Sequence, residues 1–346
     1  MPSNDRVLVT GGAGYFGSAL AELLLARGHQ VRIFDISDEA NAPASVEYVR
    51  GDIRNRDQVA AACRDVAVVY HCVAQVPLAK DRDLFITVNR DGTRVLLDES
   101  RSAGVRKVIH LSSSAVFGVP AHNPVTADTP PRPQEAYGRA KLEAEQVCAD
   151  AVRAGLDVTI IRPRTILGHG RLGIFQILFE WARTGLNVPV IGGGANRYQF
   201  VHATDLADAC IRAAERPGAA TFNIGAERFG TMREVLEALV RHAGSGGRVV
   251  SLPKAPTVAA MKLTSTLRLS PLAPYHWLMY GESMYFDTTP AREQLGWSAR
   301  YSNDDMMLES YDWYLTHRDE ILSARSRSPH RSALNQGVLR LVGRLL

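Results

Sequence analysis

Tyr137 and Lys141 stand four residues apart in Tyr137-Gly-Arg-Ala-Lys141, a spacing that on a helix puts both side chains on one face, a turn apart. A phenol with a pKa of about 10 is a poor base at neutral pH, and an ammonium beside it favours the phenolate. The pair is thus the makings of a general base, or in reverse a general acid, for interconverting an alcohol and a ketone. Upstream, the serines at 112–114 follow the strand Val105-Arg-Lys-Val-Ile-His-Leu111, so their hydroxyls sit where a strand of a parallel sheet ends. Such chemistry needs a hydride carrier and a scaffold that holds it.

The carrier's place is legible near the N-terminus. Val7-Leu-Val-Thr-Gly-Gly-Ala-Gly-Tyr-Phe-Gly17 joins a short apolar run to the helix-forming stretch Ser18-Ala-Leu-Ala-Glu-Leu-Leu-Leu-Ala-Arg. Strand, glycine loop and helix together are the context a dinucleotide fingerprint requires. Gly11 permits the tight turn, Gly14 lets backbone approach a pyrophosphate, and Gly17 lets the helix pack closely on the strand. The helix N-terminus offers free N–H groups and a partial positive charge to phosphates. A second strand, Val31-Arg-Ile-Phe, ends at Asp35, where an acid accepts hydrogen bonds from the adenosine ribose and repels a 2′-phosphate. No Lys or Arg lies between Asp35 and Val46. The cofactor predicted is NAD rather than NADP. Asp52, in Gly51-Asp52-Ile53, is placed to reach the adenine amino group, and the small Ala74 at the end of the next strand lets a cofactor lie close.

These stretches, in this order, resemble the extended short-chain dehydrogenases/reductases, the group of nucleotide-sugar epimerases and dehydratases and of 3β-hydroxysteroid dehydrogenases. The resemblance rests on Thr10 to Gly17, Gly51-Asp52-Ile53, Asn89-Arg-Asp-Gly-Thr93, Leu111 to Gly118, Tyr137 to Lys141, Arg162-Pro163, and Phe286 to Trp297. It implies Tyr137 as the acid/base, Lys141 on the nicotinamide ribose and lowering the phenol pKa, and Ser113 as the hydroxyl that hydrogen-bonds the reacting oxygen, with Ser114 as the runner-up. It further implies a cofactor-binding set of Gly11, Gly14, Tyr15, Phe16, Gly17, Asp35, Asp52, Ile53, Ala74, Lys141 and Pro163.

Two departures narrow the chemistry. The 4,6-dehydratases of that group carry an Asp-Glu pair after the catalytic Thr; here Ser114 and Ala115 stand there, so no carboxyl group is at hand to remove water. Members that grip a UDP carry an Arg at the place of Tyr198 and a second one before Phe286-Asp287. Here Arg197 is one residue off and no Arg lies between Arg268 and Arg292. A diphosphate without that clamp loses its strongest charge-assisted bonds. The leading expectation is an NAD-dependent epimerase or oxidoreductase acting on a secondary hydroxyl of an activated, nucleotide- or lipid-linked sugar. The alternative is a 3β-hydroxysteroid-dehydrogenase-like enzyme for a lipophilic alcohol, and a non-catalytic NAD sensor is a third reading that the intact Ser113, Tyr137 and Lys141 speak against.

At 346 residues and 46% hydrophobic content the chain has enough material for a large core. Strand and helix patterns alternate to about residue 165, the mark of an α/β doubly wound parallel sheet of the Rossmann type with about seven strands. Residues 1–170 and 198–225 are assigned to the NAD-binding domain, and 171–197 with 226–320 to a smaller C-terminal substrate lobe. Between Lys254 and Phe286, a run of Met, Leu, Trp and Tyr reads as core, oligomer interface or a lid over an apolar substrate. The four cysteines have no paired spacing and the ten histidines no ligand pattern, so reduced thiols and no metal site are expected. No leader or membrane-spanning run is evident, and a cytoplasmic protein is expected.

The net charge of +4 gives no reason to invoke nucleic acid, because its excess lies in residues 321–346. That segment carries Arg325, Arg327, Arg331, Arg340 and Arg344 and no acid. At helical spacing Leu334, Val338, Leu339, Leu341, Val342, Leu345 and Leu346 share a face away from Arg340 and Arg344, the pattern of an interfacial helix on an anionic membrane surface at the inner face. Docking on its own body or on a second subunit of a homodimer is the other use of such a face.

Overall fold

The computed structural model describes residues 5–38, 45–75, 82–267, 269, 272 and 274–323; the basic amphipathic stretch expected over 321–346 lies outside them from residue 324 on. Eleven strands are formed among the described residues: β1 (Arg6–Thr10), β2 (Gln30–Asp35), β3 (Glu47–Arg50), β4 (Val68–His71), β5 (Lys107–Leu111), β6 (Val158–Pro163), β7 (Thr165–Leu167), β8 (Val188–Ile191), β9 (Phe200–His202), β10 (Ala220–Ile224) and β11 (Val249–Leu252). Seven make one sheet in the order β10-β6-β5-β4-β1-β2-β3, and each neighbouring pair runs parallel. The order reverses at β1, which leaves a crevice at the carboxyl ends of β1 and β4, the position where open α/β sheets bind ligands.

The alternation of side chains along β1 explains the layers. Val7 and Val9 face the Tyr15–Ala26 and Ala203–Glu215 helices, where Leu20, Leu24, Leu206 and Ile211 close one apolar cluster. Leu8 points the other way, joining Phe34, Val69, Val108, Leu96 and Val147 beneath the helices of the opposite face. A strand covered on both sides favours a continuous apolar run, which is why β1 reads Val7-Leu8-Val9 with no polar alternate. Fully burying a Leu such as Leu20 or Leu24 contributes roughly 1.5–3 kcal/mol.

The smaller lobe has its own apolar cluster. Helices Ile174–Arg183, Met232–Ala243 and Asn303–Ser323 bring Phe179, Trp181, Leu236, Leu239, Tyr311 and Tyr314 together. The parallel pairs β8–β11 and β7–β9 flank it. Thr231 starts one of these helices with a reciprocal capping box to Glu234, which satisfies two orphan N–H groups. Asn303 starts another and ties it to β9, accepting from Phe200 N at 3.0 Å and donating to Tyr198 O at 2.6 Å.

The C-terminal signature from Phe286 to Trp297 proves to be an anchor. Trp297 is fully buried and its indole N–H donates to Asp205 O at 2.8 Å. The Asp205 carboxylate receives Arg300 N and Nε and Tyr301 N. These bonds fasten the chain leaving the lobe onto the Ala203–Glu215 helix of the sheet domain.

Candidate active site

A cavity of about 300 Å³ opens at the carboxyl ends of β1, β4, β5 and β6, between the sheet and the smaller lobe. It brings together Gly11, Gly14, Tyr15, Phe16, Gly17, Ala74, Ser113, Tyr137, Lys141 and Pro163, residues spread over more than 150 positions of the sequence. Asp35, Asp52 and Ile53 do not line it. Asp35 nevertheless touches the glycine loop, with Oδ2 accepting from Ala13 N at 3.1 Å and Oδ1 from Ser37 N at 2.9 Å. Asp52 is engaged by Arg54 Nε at 2.9 and 3.1 Å, and the hydrogen bond from that side chain, more than the other contacts, holds its carboxyl below the usual range. Ile53 is buried.

The loop after β1 is a cradle that side chains would fill. A Cβ on Gly11, whose φ is +72°, would come within 2.8 Å of Val73 N, and one on Gly17 within 2.1 Å of Gly11 O. Gly14 is the N-cap of the Tyr15–Ala26 helix and gives it no side-chain cap, so the first N–H groups of that helix remain for an incoming anion. These residues fit a dinucleotide diphosphate.

Motifs away from the cavity hold its walls. Asn89 clamps the backbone of Gln75 on both sides, accepting from its N–H at 2.7 Å and donating to its carbonyl at 3.1 Å. Thr10 and Thr93 hydroxyls lie 2.8 and 2.9 Å from the two ring nitrogens of His71, and burial pushes the pKa of that ring down to about 3. The end of β4 is therefore fixed by neutral hydrogen bonds, and His71 serves packing.

Tyr137 and Lys141 share a face of the Ala136–Arg153 helix, and both are buried. Glu135 caps this helix, its carboxylate accepting from Tyr137 N at 2.7 Å and Gly138 N at 2.6 Å. Burial raises the Tyr137 pKa, and a hydrogen bond with the Ser113 hydroxyl together with the charge of Arg171 pulls it back. Ser113 Oγ also accepts from Ala115 N at 3.1 Å, which starts the short Ser114–Phe117 turn and fixes the hydroxyl at the strand end. Lys141 Nζ donates to Leu111 O at 2.8 Å, and burial draws its pKa down to about 8.

Two arginines on the cavity wall escaped the sequence reading. Arg164 is fully buried, with Nη1 donating to Ser114 Oγ at 2.9 Å and its plane over the rings of Tyr198 at 4.7 Å and Phe286 at 5.7 Å. Arg171 lies over Tyr15 at 5.5 Å and Phe175 at 5.9 Å. The available signal was a cation directly after Arg162-Pro163 and another set among Gly168, Gly170 and Gly173. Arg197, by contrast, is exposed and stacks on Phe229 and Tyr285 at 4.8 and 4.5 Å, outside the cavity. The place of the diphosphate clamp is held by Tyr198, whose hydroxyl is 2.9 Å from Thr165 Oγ1.

The apolar run after Lys254 forms two helices, Lys254–Thr266 and Pro274–Met279. The first buries no residue; the second contributes Tyr275, His276 and Met279 to the cavity, followed by Tyr280. With Ile174, Phe175 and Leu178 from one side and Met232, Leu236 and Met307 from the other, the end of the cavity beyond Tyr137 is apolar. Among the described residues no His, Cys, Asp or Glu cluster could hold a metal ion, and the four cysteines are free. No helix among them is long and apolar enough to cross a membrane.

Comparison with known proteins agrees with this geometry. A sequence model of the NAD dependent epimerase/dehydratase family matches residues 7–225. An uncharacterized protein of Sinorhizobium fredii is 51% identical over 336 residues, covering 97% of this chain and 85% of that one. Human sterol-4-alpha-carboxylate 3-dehydrogenase, decarboxylating, is 34% identical over 217 residues, 61% of this chain and 58% of the human one. Among solved structures, the Thermus thermophilus UDP-glucose 4-epimerase complex with NAD superimposes with a TM-score of 0.73 at 26% identity, covering 90% of this chain and 99% of that chain.

Proposed function

The chain belongs to the NAD-dependent epimerase/dehydratase family, and from that premise we propose that it moves a hydride between NAD and a secondary hydroxyl or ketone on a substrate with an apolar body. The observation that carries the substrate half is the apolar wall made by Phe175, Leu178, Leu236, Met279 and Met307, together with the absence of an arginine clamp for a nucleotide diphosphate at Tyr198. NAD, held at the Gly11–Gly17 loop, supplies the hydride acceptor or donor.

The protein's own residues do the rest. Tyr137 takes the hydroxyl proton in oxidation and returns it in reduction. Ser113, whose hydroxyl lines the cavity with the phenol and is fixed by Ala115 N, donates toward the reacting oxygen as its charge develops. Lys141 keeps the carbonyl end of β5 and the helix in register through Leu111 and presents its ammonium to the ribose. With Ser114 bonded to Arg164 and Ala115 beside it, no carboxyl group stands next to Ser113, so the reading excludes dehydration.

A second reading, epimerisation of an activated sugar, is supported by the full-length likeness to the Thermus thermophilus enzyme. Incubation with NAD and either a 3β-hydroxysteroid or UDP-glucose separates the two. Stoichiometric NADH and a ketone from the steroid are expected. Interconversion of UDP-sugars with no net NADH would replace this reading by the second.

A further inference from the structure

Arg171 forms no hydrogen bond to Ser113, Tyr137 or Lys141, yet its surroundings are those of a site awaiting a charge. It follows Gly168 and Gly170, at φ of +135° and +76°, and its N–H donates to Gly168 O at 3.1 Å. That left-handed turn, which favours glycine, sets the side chain against the cavity. Nε donates to Ile166 O at 3.2 Å. Nη1 is buried without a hydrogen-bond partner among the described residues, and no ion pair to Arg171 is formed there. Among the described residues Lys141, Arg164 and Arg171 line the cavity while no Asp or Glu does. A desolvated guanidinium without a counter-charge is costly, and burial already draws its pKa down to about 10. It lines the same cavity as Tyr137 and Tyr275.

We infer that Arg171 is a specificity-determining residue that pairs with an oxyanion of the substrate, a carboxylate or a phosphate carried close to the reacting hydroxyl. The inference rests on the apolar-body reading above: the substrate is then an amphiphile, its body against Phe175 and Leu178 and its anion on the guanidinium. A planar fork suits two oxygens of one anion better than an ammonium does. Arg164 also keeps two donors, Nε and Nη2, without a hydrogen-bond partner among the described residues, but its Nη1 is bound to Ser114 Oγ and Met284 Sδ, whereas the side chain of Arg171 bonds only a backbone carbonyl.

The test uses full-length, NAD-loaded Tyr137→Phe protein, so that nothing turns over, titrated in a calorimeter with 3-hydroxydecanoate, its methyl ester and UDP. The same titrations are run with Arg171→Gln or Arg171→Lys added. The acid is expected to bind about tenfold or more tighter than the ester, the yield of a charge-assisted bond. Arg171→Gln should erase that difference, Arg171→Lys keep part of it, and neither should change affinity for the ester or for NAD. Equal binding of acid and ester, untouched by Arg171→Gln, overturns the anion assignment and leaves the apolar-body reading standing. A loss of NAD affinity in Arg171→Gln as large as the loss for the acid moves the cation to the cofactor's diphosphate and overturns it too. Tight UDP binding with no binding of either decyl compound overturns the apolar-body reading; its loss in Arg171→Gln would keep Arg171 as the anion residue with a phosphate as the anion, and its persistence would remove that role. Binding of none of the three overturns both.

Discussion

Replacing Tyr137 by Phe removes one oxygen and keeps the ring that meets Phe85 edge-on at 6.1 Å. The helix and the glycine cradle should survive it. Turnover is expected to fall by about 10²–10⁴, the usual loss for one general acid/base, while NAD affinity measured by calorimetry stays within the range of the parent. Asp35→Ser tests the cofactor end. The register of β2 and β3 sets Asp35 beside Arg50, which pairs with Asp38 at 2.8 Å. A basic residue that the stretch after Asp35 lacks in sequence is thus supplied across the sheet. Removing the acid should alone raise NADP affinity relative to NAD by about tenfold, since its repulsion of a 2′-phosphate is lost while the cation of Arg50 stays beside the site; an unchanged ratio would mean that Asp35 does not face the ribose. Tyr137, Lys141 and the glycines were legible because their geometry is local: four residues on a helix, three glycines in one loop. Arg171 and Arg50 were not, because their roles come from contacts fixed only after distant segments meet.

Gly138 shows how one element holds another. A Cβ there would meet Ala115 O at 2.4 Å and Ala115 C at 3.1 Å, both backbone atoms that cannot swing aside. In Gly138→Ala the Ala136–Arg153 helix must lift from the Ser114–Phe117 turn, and Tyr137 moves away from Ser113. Alanine normally favours a helix interior by about 1 kcal/mol over glycine, so propensity predicts stabilisation and the close approach predicts the reverse. The expected outcome is a loss of kcat with the NAD affinity of the Gly11–Gly17 loop retained; normal kcat with a raised melting temperature would show that the helix has room to move. The strands of the main sheet were readable from their continuous apolar runs. The 254–286 segment was not, since its apolar residues divide between a cavity wall at Tyr275 and Met279 and exposed leucines at 263, 267 and 269. Composition is the same in both places, and only packing separates them.

At the scale of the whole molecule, Glu180 ties the last described helix to the smaller lobe. Its carboxylate receives Arg318 Nε at 2.7 Å, Arg183 Nε at 3.1 Å and the Tyr314 hydroxyl at 2.8 Å. Burial by itself would raise its pKa, but the hydrogen bonds from Arg318, Arg183 and Tyr314 outweigh that and hold it at about 2. A carboxylate whose folded pKa lies below its unfolded value stabilises the fold above the unfolded pKa of about 4.3, and that stability is lost as pH falls toward the folded pKa. After discounting for the partly exposed arginines, the contribution at neutral pH is about 2 kcal/mol. Glu180→Gln should therefore lower the urea midpoint of the full chain at pH 7, and the gap between variant and parent should narrow between pH 5 and pH 3. The helix that Glu180 holds supplies Met307 to the cavity, so the same variant should weaken substrate binding more than NAD binding as the lobe loosens. A gap in urea midpoint that stays constant down to pH 3 would mean that the charge of Glu180 contributes nothing and that its hydrogen bonds are met equally well by an amide.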